Sequence, residues 1–179
     1  MGEIIVIKRK IIRTSPKKKS LPDAEFDRIT WAIKGRSNDP FRTNISCIKI
    51  EPNKIIATNG HILLMANTET EYPAGCYDVL IATWKLIVLE KVDIEYPNYM
   101  QVLTFFTNPP ERVKEFSTGY NDAINLFIYN ALQFETYAIN LLQRCYIPYQ
   151  SIKMEWRSGQ KPLIITAPMQ TAVIMPLKM

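Results

Sequence analysis

The sequence has few residues of the types that bind metal ions or form disulfide frameworks. It contains a single histidine, His61. Its three cysteines are widely spaced and form no C-x-x-C pair; they are Cys47, Cys76 and Cys145. A multi-histidine metal site is therefore excluded, and a Cys/His zinc site lacks the paired spacing that it needs. We predict no metal ion and no cofactor, and we expect the three thiols to be reduced core residues.

Glycine-rich and catalytic motifs are also missing. The six glycines form neither G-x-G-x-x-G nor G-x-x-x-x-G-K-[ST], and no G-x-S-x-G is present. The usual dinucleotide, nucleotide-phosphate and Ser-His-Asp sites are therefore not expected. This absence favours a binding protein over an enzyme. An enzyme that uses Asp93 or Glu95 close to His61 is the remaining catalytic alternative.

Long apolar stretches are absent as well. Apolar stretches such as residues 62–66 and 86–89 are far shorter than the roughly 18 residues that a membrane-spanning helix requires. The N-terminus has an apolar run that is too short for a signal peptide, and its basic residues follow that run. The sequence therefore predicts a cytoplasmic protein without a membrane partner.

Positive charge is concentrated at the start of the chain. Residues 1–20 contain seven Lys or Arg and one Glu, so they carry +6, and the remaining residues carry −1 of the net charge of +5. A basic segment attracts phosphates regardless of base sequence, so we predict that it contacts double-stranded DNA. The alternative is a solvated segment without a ligand. The predicted DNA-binding residues are Arg13, Lys17, Lys18 and Lys19.

Apolar periodicity divides the first part of the chain into a strand, a helix and several strands. Residues 3–13 are rich in Ile and Val and predict a strand. Phe26, Ile29 and Ile33 then follow helical spacing and predict one amphipathic helix. Ser20 or Asp23 is its predicted N-cap, and Gly35 is predicted to end it. Asn59-Gly60 predicts a type I′ hairpin. The predicted strands after the helix are residues 45–51, 54–58, 61–66, 76–82, 85–91 and 101–106.

After a polar stretch at residues 108–121, the same order begins again. Residues 124–129 predict a strand, and Asn130 caps a second helix. The strands predicted after this helix are residues 151–157, 163–166 and 171–175. The chain is therefore predicted as one compact α+β domain of two similar halves, residues 1–107 and 108–179, each with one helix packed on antiparallel strands.

Three short segments resemble those of one protein family. Residues 57–63, A-T-N-G-H-I-L, are similar to the A-T-D-G-H-R-L hairpin of bacterial DNA polymerase sliding clamps, the processivity (β) subunit. Residues 96–103, Y-P-N-Y-M-Q-V-L, resemble the F-P-D-Y-x-x-V-L segment of that family. Residues 171–179, T-A-V-I-M-P-L-K-M, resemble the C-terminal V-V-M-P-M-R-L. The likeness covers residues 41–106 and 120–179 and follows the order of the family.

The resemblance implies a DNA-clamp-like fold and a non-catalytic role in DNA replication or repair. In the family, the three segments form a hydrophobic cleft that receives short linear motifs of DNA polymerases and other replication factors. A cleft of Leu, Val, Met and Pro side chains suits such apolar anchors, and methionines let it adapt to several partners. The peptide-binding residues that the resemblance implies are Thr58, Gly60, His61, Leu63, Pro97, Tyr99, Val102, Val173, Met175, Pro176 and Leu177.

The chain departs from the family at several of these positions. Asn59 replaces the Asp of the hairpin, Ile62 replaces the Arg after the histidine, and Met100-Gln101 replace a basic pair. The implied cleft is less charged, which leaves the partner motif open. A bacterial clamp chain carries three such domains and this chain has the length of one, so ring closure and homo-oligomerisation also stay open. The principal alternative is a nucleic-acid-binding module with the same fold but no peptide site. The alternative to a cleft is that residues 173–177 are an edge strand whose apolar side packs inward and that residues 96–97 are an ordinary turn.

Overall fold

A single sheet contains every strand that the structure describes. The computed structural model describes residues 2–10, 23–104, 112–116, 152–156 and 162–175. The strands in these ranges are β1 (Ile4–Lys8), β2 (Ile48–Glu51), β3 (Lys54–Thr58), β4 (Ile62–Asn67), β5 (Gly75–Ala82), β6 (Leu86–Val92), β7 (Arg112–Phe116), β8 (Ile152–Trp156), β9 (Leu163–Ala167) and β10 (Gln170–Ile174). The helices in the same ranges are α1 (Ala24–Ile33), α2 (Thr43–Ser46) and α3 (Met100–Thr104).

The strands pair antiparallel in the order β1-β6-β5-β2-β3-β4-β10-β9-β8-β7. The β4–β10 pair at the centre joins strands from the two ends of the sequence, with Val173 opposite Leu63 and Ala172 opposite Leu64. On its other side, β10 pairs with β9. Because β10 has a partner on both sides, the edge-strand interpretation of this segment is wrong for the residues that belong to β10.

Helix α1 covers one side of the sheet, which we call the first face. Of the two predicted caps, Asp23 is confirmed: its Oδ1 accepts a hydrogen bond from the Phe26 N–H at 3.1 Å. The helix packs against β3 and β4, and Phe26 and Ile29 are at most 1% exposed. Burial of each such side chain stabilises the fold by about 1.5–3 kcal/mol. Gly35 follows the helix, and a Cβ at this position would lie 2.9 Å from Leu64 Cγ.

The opposite side of the sheet, the second face, carries a smaller apolar cluster over the central strands. Its buried members are Cys47, Ile56, Leu63, Met65, Cys76, Tyr96, Tyr99 and Val173. Half-buried side chains packed against it are Val92, Val102, Leu103 and Met175. We call these twelve residues the second-face cluster. Two of its tyrosines come from the segment between β6 and α3, so this segment covers the centre of the second face.

Three predictions of local structure are wrong. Residues 101–106 are predicted as a strand, but the chain forms α3, because the Val102 N–H already bonds to the Tyr99 carbonyl at 3.0 Å and starts a helical turn. The strand predicted to begin at residue 45 begins at residue 48, after α2. The predicted polar stretch at residues 108–121 contains β7. Strands rich in charge are typical of sheet edges, and β7 is the last strand in the order.

Other predictions lie outside the described residues. They concern the strand at residues 124–129, the helix capped by Asn130, and the boundary between residues 107 and 108, so the two-half division stays a prediction. Across the described ranges, no helix is both long and apolar enough to span a bilayer. In those ranges, no three side chains of His, Cys, Asp or Glu are grouped as metal ligands would be.

Candidate functional site

The hairpin between β3 and β4 is fixed by two side chains of its own. The Thr58 hydroxyl donates to the Ile62 carbonyl at 2.6 Å and accepts from the Gly60 N–H at 3.1 Å. Asn59 Oδ1 accepts hydrogen bonds from the His61 and Ile62 N–H groups, both at 2.9 Å. Gly60 has a φ of +86°, whereas Asn59 is not in the left-handed region. The type I′ prediction is therefore wrong, since that turn needs two positive φ values.

Strand β10 brings the later part of the chain to this hairpin. Val173 lies opposite Leu63 in the register, and the Met175 N–H donates to the His61 carbonyl at 2.8 Å. Leu63 is 2% exposed and Val173 is fully buried, whereas Met175 is half-buried and His61 is exposed. The hairpin and the end of β10 therefore form one continuous surface.

Two tyrosines hold the mid-chain segment on the second face. Tyr96 and Tyr99 are both buried there. The Tyr99 hydroxyl donates to Glu51 Oε2 at 2.7 Å, and Lys49 forms an ion pair with the same carboxylate at 3.3 Å. The Tyr99 N–H also bonds to the Pro97 carbonyl at 2.8 Å. These contacts fix the start of α3 against β2.

Residues from all three predicted segments meet in the second-face cluster. The predicted peptide-binding residues that it contains are Leu63, Tyr99, Val102, Val173 and Met175. The predicted residues that form the hairpin beside it are Thr58, Gly60 and His61. Pro97 is half-buried and precedes the buried tyrosine. The predicted residues that lie outside the described part of the chain are Pro176 and Leu177.

Burial divides the predicted site into a floor and an accessible rim. Leu63, Tyr99 and Val173 are at most 6% exposed, so they support the surface from below. The half-buried apolar side chains of the predicted segments that pack against them are Val102, Leu103 and Met175. Met100, the first residue of α3, is exposed. Sequence reasoning missed Leu103, which lies in the segment predicted as a strand, residues 101–106. The spacing of three residues between Met100 and Leu103 is the helical signal that could have identified α3.

The pKa values of the groups beneath the rim show that these groups are uncharged at neutral pH. Burial raises the pKa of Cys47 to about 12, and the neighbouring Cys76 adds to that increase. Burial also raises the pKa of Cys76. The pKa of Tyr96 is raised chiefly by burial. Its buried hydroxyl lies beside the Thr58 backbone but forms no hydrogen bond with the described residues. The two thiols are therefore poor nucleophiles, because the thiolate is the reactive form.

The Tyr99–Glu51 contact changes the pKa of both partners. Burial raises the pKa of Tyr99, and the hydrogen bond to Glu51 raises it further. Burial alone would raise the pKa of Glu51, but the hydrogen bonds from Tyr99 and Lys49 outweigh burial, so the pKa of Glu51 is lowered. At neutral pH, Glu51 is therefore an anion that accepts from a neutral phenol.

A polar cavity of about 290 Å³ adjoins the hairpin. The residues that line it are Ser37, Asn38, Asp39, Arg42, Asn59 and His61. Arg42 Nε lies 3.6 Å from Asp39 Oδ2, and a Cβ at Gly60 would lie 3.7 Å from Arg42 Nη1. The exposed side of the hairpin is therefore bordered by polar and charged groups, which are suited to the polar flanks of an apolar ligand.

The predicted DNA-binding residues are outside the described residues, but both ends of their segment are described. The Lys10 N–H donates to Asp23 Oδ2 at 2.7 Å, so residues 11–22 begin and end at neighbouring points. Arg9 forms an ion pair with Asp27, and its guanidinium lies 4.5 Å from the centre of the Phe26 ring. Arg9 is therefore engaged with α1.

Solved structures with a similar fold include bacterial sliding clamps. One is a DNA polymerase III β subunit from Borrelia burgdorferi, solved in complex with a natural product, with a TM-score of 0.60 and 12% identity. The alignment covers 99% of this chain and 64% of the Borrelia chain. The β subunit from Thermotoga maritima has a TM-score of 0.56 and 10% identity, with coverage of 99% and 66%. The sliding clamp from Bacillus subtilis has a TM-score of 0.55 and 10% identity, with coverage of 99% and 65%.

These comparisons show that the fold is α+β and clamp-like. The chain spans less than two thirds of the length of each of these three clamps. No protein-family model and no curated protein sequence matches the chain. At 10–12% identity, the likeness extends to the fold and not to the activity.

Proposed function

We propose that this chain is a non-catalytic, sliding-clamp-like docking protein of DNA replication or repair, which binds short linear peptide motifs at the rim of the second-face cluster. One observation carries the proposal: three segments that each resemble part of the clamp cleft contribute side chains to one apolar cluster. The proposed partners are a DNA polymerase or other replication and repair proteins, and the proposed compartment is the cytoplasm.

The sheet pairing favours a particular mode of docking. Because β10 pairs with both β4 and β9, its backbone groups are already bonded and a peptide cannot add to it as a strand. We therefore propose that the peptide lies across the face, with apolar anchors on Met175, Val102 and Leu103. Its polar flank would lie near His61, beside the cavity that Arg42 lines.

Fluorescence polarisation tests the proposed peptide site. The probe is a fluorescein-labelled peptide selected for saturable binding to the Bacillus subtilis clamp, which is also the positive control. We expect saturable binding to the wild-type chain. A charge at the rim would be desolvated by the apolar anchor, so Met175→Asp should weaken binding by about tenfold or more.

A matched control is available in the turn between β9 and β10. Met169 is 37% exposed and lies before the first residue of β10, away from the cluster, so Met169→Asp should leave the affinity unchanged. Circular dichroism establishes that both variants are folded. Absence of saturable binding to the wild type at high micromolar protein, or equal weakening by the two substitutions, rejects the peptide site.

A second candidate function is DNA binding by the basic segment, with or without the peptide site. The observation that favours it is the hydrogen bond that ties residue 10 to residue 23. This bond holds together the two residues that flank the segment, at the start of α1. A segment closed at both ends loses less entropy on binding than a free terminal arm would.

Salt dependence tests the DNA candidate. The logarithm of the association constant for a labelled duplex should fall linearly with the logarithm of the salt concentration. Substitution of Lys17, Lys18 and Lys19 by Gln should lower the magnitude of this slope by about 2–3. Substitution of Lys34, Lys54 and Lys85 by Gln is the matched control, because it removes the same charge elsewhere. Equal losses in the two triple variants, or no binding at low salt, would exclude a role for the segment.

A further inference from the structure

Exposed apolar side chains are concentrated at one end of the sheet. Of the eight large hydrophobic residues that are exposed in the described part of the chain, five lie on or beside β1, β5 and β6. They are Ile4 at 48%, Val6 at 51%, Leu80 at 53%, Ile81 at 42% and Trp84 at 65% exposure. Single exposed apolar residues are common on proteins, but a contiguous group indicates an interaction surface.

The strand register places the centre of this group in one row. Val6 lies opposite Val88, and Val88 lies opposite Ile81. The neighbouring residues Ile5 and Ile7 face the core under α1, so the row points to the second face. We call Val6, Val88 and Ile81 the open row. A solvated face of an antiparallel sheet normally carries polar side chains, and an outer strand such as β1 is normally charged.

The open row continues the surface that the mid-chain segment covers over the central strands. On β6, Val92 packs against the second-face cluster, whereas Val88 is four residues earlier on the same side of the strand. The cover therefore ends before the open row begins. The row is an uncovered part of an apolar face whose other part is buried.

Charges of opposite sign lie at the two ends of the open row. Lys8, opposite Leu86, and Lys85 lie at one end. Asp78 and Glu90, which lie opposite each other, are at the other end. None of these four charges forms an ion pair within the residues that the structure describes.

We propose that the open row is the contact surface of a two-fold dimer of this chain, with the second faces of two copies stacked. The charges select the orientation. A two-fold axis perpendicular to the strands places the Lys8 end of each copy over the Glu90 end of the other copy. An axis along the strands would superpose like charges. The two sheets would then pack face to face with antiparallel strands, as stacked sheets do at small crossing angles. This proposal does not depend on the proposed peptide site.

Sedimentation velocity tests the dimer with the full chain at low salt. Because the row is short, we expect a reversible dimer with a dissociation constant on the order of tens of micromolar. Ile81→Lys should weaken it by about tenfold or more. Phe41→Lys is the matched control, since Phe41 is 94% exposed but lies outside the row, and it should leave the constant unchanged.

A charge exchange tests the orientation. Glu90→Lys places like charges together and should weaken the dimer, and adding Lys8→Glu to that variant should restore it. A wild type that is monomeric at several hundred micromolar overturns the proposal, as does a charge exchange that fails to restore the dimer. Ile81 lies two strands in from the edge, so a dimer that survives Ile81→Lys would indicate edge-to-edge pairing of β1 instead and would also overturn it.

Discussion

The contact between β4 and β10 beneath the proposed peptide site predicts a measurable coupling. Leu63 and Val173 are 2% and 0% exposed, and each loses its apolar side chain in Leu63→Ala and Val173→Ala. At about 0.8 kcal/mol per buried carbon, three carbons and two carbons give about 2.4 and 1.6 kcal/mol. With the added cost of incomplete relaxation, we expect losses of about 3 and 2 kcal/mol.

The two losses should not be additive, because the residues are opposite each other on one face. The first deletion removes contacts that the second would otherwise lose, so the double variant should be about 0.5–1 kcal/mol more stable than the sum predicts. Guanidinium chloride unfolding, followed by circular dichroism, measures all four stabilities. Ile29→Ala is the control for coupling, since Ile29 lies on the first face.

If Val173→Ala costs less than about 0.5 kcal/mol, Val173 is not in a packed interior strand. If Leu63→Ala and Val173→Ala are as additive as Ile29→Ala and Val173→Ala, the two residues are not in contact and β10 is not beside β4.

Three further predictions concern backbone geometry and acid stability. Met169→Gly should raise the free energy of unfolding by about 0.5–1 kcal/mol, because Met169 has a φ of +63° that glycine adopts without strain. Gly35→Ala should lower it by about 1–3 kcal/mol, since its Cβ would lie 2.9 Å from Leu64 Cγ. Both are measured by chemical denaturation. Since the pKa of Glu51 is lowered in the folded state, its contribution is present above an unfolded pKa of about 4.3 and is lost as pH falls through the folded value. Glu51→Gln should therefore make stability less dependent on pH in that acid range, as thermal unfolding at several pH values would show.

Each of these predictions has a contradicting outcome. A destabilised Met169→Gly would mean that the β9–β10 turn does not use the left-handed conformation. A neutral Gly35→Ala would mean that the chain after α1 is farther from β4 than the structure has it. Identical acid profiles of the wild type and Glu51→Gln would mean that the bond from Tyr99 does not favour the ionised carboxylate.

Local signals in the sequence were sufficient to predict much of the first part of the fold. Asp23 caps α1 because its short carboxylate reaches the Phe26 N–H, and such caps depend on neighbouring residues alone. Turn residues correctly predicted the positions of β3 and β4, since the Pro52-Asn53 and Asn59-Gly60 turns mark where these strands begin. The segment at residues 101–106 was misassigned because its apolar residues fit either period, and the preceding tyrosine turn decides between them.

The candidate site could be predicted only in part, for a physical reason. Resemblance identified the three segments, and pairing of β4 with β10 brings Leu63 and Val173 together. Sequence cannot tell whether a sheet face is covered, because coverage depends on a distant segment. Here Tyr96 and Tyr99 cover the centre of the second face. The predicted contact residues Leu63 and Val173 are therefore buried beneath the surface, and the accessible apolar side chains include those of α3.

Methyl NMR shows whether the hairpin, the mid-chain segment and β10 together form a peptide-docking surface. The chain carries methyl-labelled methionines, assigned by single Met→Leu variants, and is titrated with the clamp-binding peptide. We expect saturable shifts of the Met175 and Met100 methyls, while the Met169 methyl stays unchanged. Unchanged Met175 and Met100 resonances at saturating peptide, or an equal shift at Met169, would contradict this expectation.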